Sequence, residues 1–119
     1  MSDDNPARPK PGAPLCPLDK IPPNGAIILD FAEGTARFSM LVTRSDDSVS
    51  AFENLCPHAR WPLERPDGRV IVHEQRYIIC AVHGASFRMD DGRCVAGPGL
   101  GGSLRLIPVT VLGGIICCA

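Results

Sequence analysis

The sequence predicts a small all-β protein, and three observations carry that prediction. Twelve glycines and twelve prolines punctuate 119 residues, which breaks the chain into short extended runs. Those runs hold β-branched and aromatic residues and are bounded by turn chemistry. No stretch keeps a 3.6-residue apolar period over about three turns, so no amphipathic helix is expected. No internal repeat appears, and the length suits one domain with a core of its own.

Taken in order, residues 1–14 read as a flexible arm, because Pro6, Pro9, Pro11 and Pro14 remove backbone donors and little there is apolar. A single domain is expected over 15–112. Its first half contains three strand-like runs, Ala26–Phe31, Arg37–Thr43 and Ser48–Asn54, separated by Glu33-Gly34 and Ser45-Asp46-Asp47. Short runs joined by turn residues predict an antiparallel meander. Two hairpins follow. Arg69–His73 and Tyr77–Cys80 flank Glu74-Gln75-Arg76, and Ala85–Met89 and Arg93–Val95 flank Asp90-Asp91-Gly92. The Asp-Gly pair is a strong hairpin signal. "AGPGLGGS" at 96–103 reads as loop. Leu104–Leu112 reads as a last strand, placed at an edge by Pro108. Residues 113–119 are expected to be a C-terminal tail.

A net charge of −1 offers no field for nucleic acid and no polybasic membrane patch. The longest apolar runs fall well short of a membrane span. "MSDDNPARPKPG" has no apolar secretory core, so a cytoplasmic, reducing location is expected, where cysteines serve as thiols or metal ligands.

Two stretches concentrate such ligands. "CPHARWPL" (56–63) offers Cys56 and His58; "CAVHGASF" (80–87) offers Cys80 and His83. Both pairs follow strand-like runs, so their side chains can converge from two loops. Pro57 stiffens the first pair and Gly84 permits a turn after the second. Two sulfurs and two imidazoles suit zinc, although zinc modules usually group the cysteines in one knuckle and the histidines on a helix. They also suit a [2Fe–2S] cluster in which two histidines replace two cysteines on one iron. Mixed pairs then let each loop send a sulfur to one iron and a nitrogen to the other.

These residues resemble the Rieske iron–sulfur family. "NLCPH", Pro62-Leu63, "CAVHGASF", "DGRCVAGP" and a leucine-rich closing strand stand in Rieske-like order over roughly 15–110. The linked motif is highly specific, whereas either half alone is weak. The resemblance implies an antiparallel β-sheet base with an inserted cluster-binding subdomain at about 55–90. It also implies one [2Fe–2S] cluster held by Cys56, His58, Cys80 and His83, with the Pro98 loop covering one side. The 21 residues between His58 and Cys80 are a few more than many members have, and the excess is placed around Pro66–Gln75.

Positions around the ligands sort the family further. Rieske proteins of respiratory complexes carry an extra cysteine in each loop, joined as a disulfide, where this chain has Trp61 and Val82. They also place a serine and a tyrosine as donors to cluster sulfurs, where this chain has Ala85 and Phe87. Missing donors leave the reduced cluster less stabilised, so a potential at the lower end of roughly −150 to +300 mV is expected. Only His73 remains to serve a mononuclear iron, so the chain is expected not to be an oxygenase or other enzyme itself.

The resemblance therefore implies a soluble one-electron ferredoxin. It would take electrons from a reductase and pass them to a terminal oxygenase by transient docking at the His58/His83 tip. A small subunit of a nitrite-reductase-type complex, and a structural zinc module that mediates protein contacts, are the alternatives. Cys16 and Cys94 are expected to be packed thiols, and Cys117 and Cys118 part of an apolar tail. His73 is expected to be exposed. Trp61 would either shield the cluster or meet a partner. Arg60, Arg65 and Arg88 are expected to be solvated charges, and the paired aspartates turns or tail.

Overall fold

The computed structural model describes residues 5–57, 61–82, 84–98 and 100–119. Within them the chain forms β1 (Pro14–Pro17), β2 (Gly25–Glu33), β3 (Ala36–Ser45), β4 (Ser48–Glu53), β5 (Ile71–His73) and β6 (Tyr77–Ile79). It continues with β7 (Ser86–Arg88), β8 (Cys94–Ala96), β9 (Leu106–Ile107), β10 (Val109–Leu112) and β11 (Ile115–Cys118). A single 3-10 turn, Leu18–Lys20, is the only helical segment among the described residues. Three antiparallel sheets result, ordered β1-β11-β10, β2-β3-β4-β9 and β5-β6-β7-β8.

The expected meander is β2-β3-β4, with Ala26 opposite Thr43 and Val42 opposite Ala51. Its middle strand is buried on both faces, because successive side chains of a strand point to opposite sides. Phe38, Met40 and Val42 enter one core with Ala51, Ile107 and Ile116. Leu41 enters a second core, and Phe52 directly opposite it does the same. This sheet is therefore a wall shared by two cores. The β5–β8 sheet caps the second one through Ile78, Phe87 and Cys94.

Polar ties hold that small sheet to the wall. Thr43 Oγ1 donates to the Met89 carbonyl at 2.7 Å, and Ser50 Oγ donates to the Asp90 carbonyl at 3.0 Å. Gly92 of the predicted Asp-Gly turn has φ +76°, and a Cβ there would lie 2.7 Å from the Phe52 ring. Turn conformation and packing both demand glycine at this point. The Arg88 guanidinium pairs with Asp91, whose Oδ1 also accepts the Arg93 N–H at 3.0 Å. The small sheet runs on to Ala96, past the expected subdomain boundary near 90.

Three expectations are corrected. Residues 5–14 are not a flexible arm: Ala7 is buried in the first core and Asn5 Nδ2 donates to the Arg37 carbonyl at 2.8 Å. Gly12 N–H donates to the Cys118 carbonyl, and Cys118 N–H to the Ala13 carbonyl. Prolines cost ladder donors, but a segment packing through a few contacts does not need them. Next, Leu104–Leu112 is not one strand. It breaks at Pro108, which has no N–H for a ladder, so β9 pairs with β4 and β10 joins the other sheet. Finally, residues 113–119 are not a tail. Gly113 and Gly114 have φ +59° and +78°, a two-glycine hairpin turn of the primed kind. It returns β11 between β10 and β1.

Candidate metal centre

The first ligand loop leaves the end of β4. Asn54 N–H donates to the Ser39 carbonyl, and Cys56 N–H donates to the Trp61 carbonyl at 2.8 Å. The loop is pinned at its far end by Asn54, which is 1 % exposed and whose Oδ1 accepts the Leu63 N–H at 3.0 Å. The second loop leaves β6. Cys80 N–H donates to the Ala85 carbonyl at 2.8 Å, and Gly84 N–H donates back to the Cys80 carbonyl at 2.9 Å. Gly84 adopts φ +75° to make that turn.

These two loops meet. Ala81 N–H, just beyond Cys80, donates to the Leu63 carbonyl at 3.2 Å. Cys56 and Cys80 are 0 % and 1 % exposed and share one apolar core with Leu63, Ile78, Ala85 and Phe87. Two thiols at the starts of adjoining loops, walled by hydrocarbon on the inner side, fit the sulfur half of the expected donor set. His58 and His83, and with them Arg60, lie outside the described residues.

A third segment completes the surroundings. Gly97 sits against the second loop, where a Cβ would fall 3.1 Å from Ala85 Cα. Cys94 Sγ donates to the carbonyls of Ala96 at 3.4 Å and Pro98 at 3.8 Å, which folds this turn back on itself. Pro98 itself is exposed, as is Gly84. Ala85 and Phe87 are wholly buried. Outside, Trp61 is 57 % and Val82 49 % exposed, and both line one groove with Pro62 and Ala81. Trp61 is therefore more than half exposed.

Other sequence candidates fall elsewhere. Cys16 and Cys118 lie in the first core, on the other side of the β2-β3-β4 wall from Cys56 and Cys80. Burial pushes both thiols up, partly offset by Lys20 near Cys16 and Arg8 near Cys118. His73 is exposed at the end of β5, with Nε2 3.4 Å from Glu74 Oε1. Arg65 lies 3.8 Å from Asp67. Arg93 N–H, then Arg88, holds the Asp91 carboxyl below the usual carboxylate range. The roles of Asn54, Leu63 and Gly97 were not apparent from the sequence. Their partners lie nine or more residues away along the chain, and no local signal marks them.

The profile of the Rieske [2Fe–2S] domain family matches residues 13–109. Among solved structures, the ferredoxin of carbazole 1,9a-dioxygenase from Nocardioides aromaticivorans IC177 is 28 % identical, with a TM-score of 0.73 over 92 % of this chain and 98 % of that one. A chain from the complex of reduced oxygenase and oxidized ferredoxin in carbazole 1,9a-dioxygenase is 23 % identical, with a TM-score of 0.69 over 89 % and 99 %. A putative NADPH nitrite reductase small subunit is 19 % identical, with a TM-score of 0.63 over 92 % and 99 %. The last two likenesses bear on the fold alone. No curated protein matches the chain.

Proposed function

This chain belongs to the Rieske [2Fe–2S] domain family, and on that premise we propose that it is a one-electron carrier. It would receive electrons from a reductase and deliver them to an oxygenase, without catalysing the oxygenation itself. Cys56, His58, Cys80 and His83 are the proposed ligands of one [2Fe–2S] cluster, which supplies a centre reducible by a single electron. The observation that carries this reading is the pair of buried cysteines at the starts of two loops tied together by the Ala81–Leu63 hydrogen bond.

The chain's own residues supply the rest of the argument. Leu63, Ile78, Ala85 and Phe87 exclude water from the sulfur side. The turn at 94–98 backs the second loop. Trp61 and Val82 leave an apolar rim beside both loops, suited to a brief encounter with a redox partner. The ferredoxin at 28 % identity, covered over 98 % of its length, supports the carrier reading. No helix among the described residues is long and apolar enough to cross a membrane, and a cytoplasmic location is part of the proposal.

The test is an EPR spectrum of dithionite-reduced protein together with iron and sulfide analysis. A low average g value is expected from mixed ligation, and a colourless protein containing zinc would overturn the reading. Cys80→Ala should abolish iron binding, and His83→Cys should keep a cluster at lower potential. Full iron loading in Cys80→Ala would refute the ligand assignment. A large subunit that co-purifies stoichiometrically would favour the nitrite-reductase-type assembly instead.

A further inference from the structure

Asn54 has its side chain fully engaged. Oδ1 accepts the Leu63 N–H at 3.0 Å, while Nδ2 donates to Glu64 Oε1 at 2.8 Å and to Ser39 Oγ at 3.0 Å. Only one orientation of the amide satisfies this set. Flipped, its oxygen would face the Glu64 carboxylate and its NH2 would face the Leu63 N–H. Glu64 thus keeps the acceptor aimed at Leu63. Leu63 carries the connection onward, since its carbonyl accepts the Ala81 N–H. The Leu63 N–H is committed to the first loop and its carbonyl to the second, and its side chain is buried in the core that holds Cys56 and Cys80.

We propose that Asn54 is a positioning residue that sets the separation of the two ligand loops, acting through the backbone of Leu63. The inference rests on the cluster reading above. Two thiolates that clamp a rigid two-iron core must stand at one spacing, and Cys80 directly precedes the residue bonded to Leu63. Without the Asn54 acceptor the Leu63 N–H is orphaned inside an apolar wall. Leaving a buried donor unmade costs more than the bond itself contributes. The loop must then shift to find a partner, and Ala81 shifts with it.

The test compares Asn54→Ala, Asn54→Asp and the double variant Asn54→Asp/Glu64→Gln. Asn54→Asp keeps the acceptor but sets a second carboxylate against Glu64, and the added Glu64→Gln returns a donor to that contact. Thr43→Val serves as control, because it removes a buried hydrogen bond to Met89 at the far end of β7 from Cys80. The readouts are iron per chain, the rate of cluster loss to excess chelator, the EPR g values and thermal melting.

Asn54→Ala and Asn54→Asp should lose the cluster about tenfold faster with displaced g values, and the double variant should recover most of both. Thr43→Val should melt earlier yet keep wild-type g values and loss rate. Wild-type behaviour in Asn54→Ala, or g values displaced equally by Thr43→Val, would overturn the inference while leaving the carrier reading intact. If Asn54→Ala does not fold, absence of recovery in the double variant relative to Asn54→Asp overturns it. Wild-type protein that binds no cluster would sink the carrier reading and this inference together.

Discussion

Gly97 lies against Ala85 by its backbone: a Cβ at 97 would stand 3.1 Å from Ala85 Cα and 3.2 Å from the Gly84 carbonyl oxygen. The turn after β8 is therefore a direct support for the loop that begins at Cys80. Its φ of +81° is also one that only glycine adopts without strain. Gly97→Ala should cost about 1–3 kcal/mol and reduce iron retention, as read by melting and iron analysis. Unchanged values in both would show that this contact is slack.

Ala85 and Phe87 are buried, and the resemblance to the family sets them at the positions expected to carry hydroxyl donors in its respiratory-complex members. Restoring the donors with Ala85→Ser and Phe87→Tyr should raise the midpoint potential. A hydrogen bond to a charged acceptor is worth about 1.5–3 kcal/mol, which for one electron converts to roughly 65–130 mV. Redox titration checks the direction, and a lowered potential would contradict the donor argument.

Trp61 presents its side chain to solvent while its carbonyl accepts the Cys56 N–H. Truncation to alanine removes the first and spares the second. Trp61→Ala should therefore leave the EPR spectrum unchanged. If the rim is where the partner docks, electron delivery to the oxygenase at limiting concentration should fall by about tenfold or more, the scale of an interfacial hot spot. Equal delivery rates would move the docking face elsewhere.

Cys16 and Cys118 share the first core, and burial holds both thiols above their ordinary value of 9.0. The folded state therefore retains protons that the unfolded chain releases. Their contribution to stability is complete below the unfolded value and is lost as pH rises through the folded one. The melting temperature should fall from about pH 9 upward, less steeply in a Cys16→Val/Cys118→Val variant. In native protein at neutral pH, alkylation should reach the partly exposed Cys117 before either of them. Equal slopes in both proteins would assign the decline to other groups.

Much of the fold was legible because its signals are local. Glu33-Gly34, Ser45-Asp46-Asp47 and Asp91-Gly92 each mark a turn by backbone chemistry, and the strands between them follow. Gly113-Gly114 carried an equally local signal, but the short run after it, ending in two cysteines, read as a tail. Only pairing on both sides, to β10 and to β1, makes Ile115–Cys118 a central strand. The segment at 5–14 departs from the expected arm for the same reason. Its prolines argue against a strand, and its burial depends on Cys118 and Arg37, residues far along the chain.

The sequence by itself determined the all-β class and placed a cysteine and a histidine at each of the two proposed ligand pairs, 56/58 and 80/83. It also determined the absence of hydroxyl donors at 85 and 87. Each is a matter of residue identity and short spacing, which neighbours along the chain express directly. Only the tertiary structure decided that Asn54, Leu63 and Ala81 form one line of hydrogen bonds between the loops. It alone seated Gly97 on the second loop and separated Cys56 and Cys80 from Cys16 and Cys118 by a sheet. These are contacts between distant segments, and they exist only once the β2-β3-β4 wall has two cores to divide.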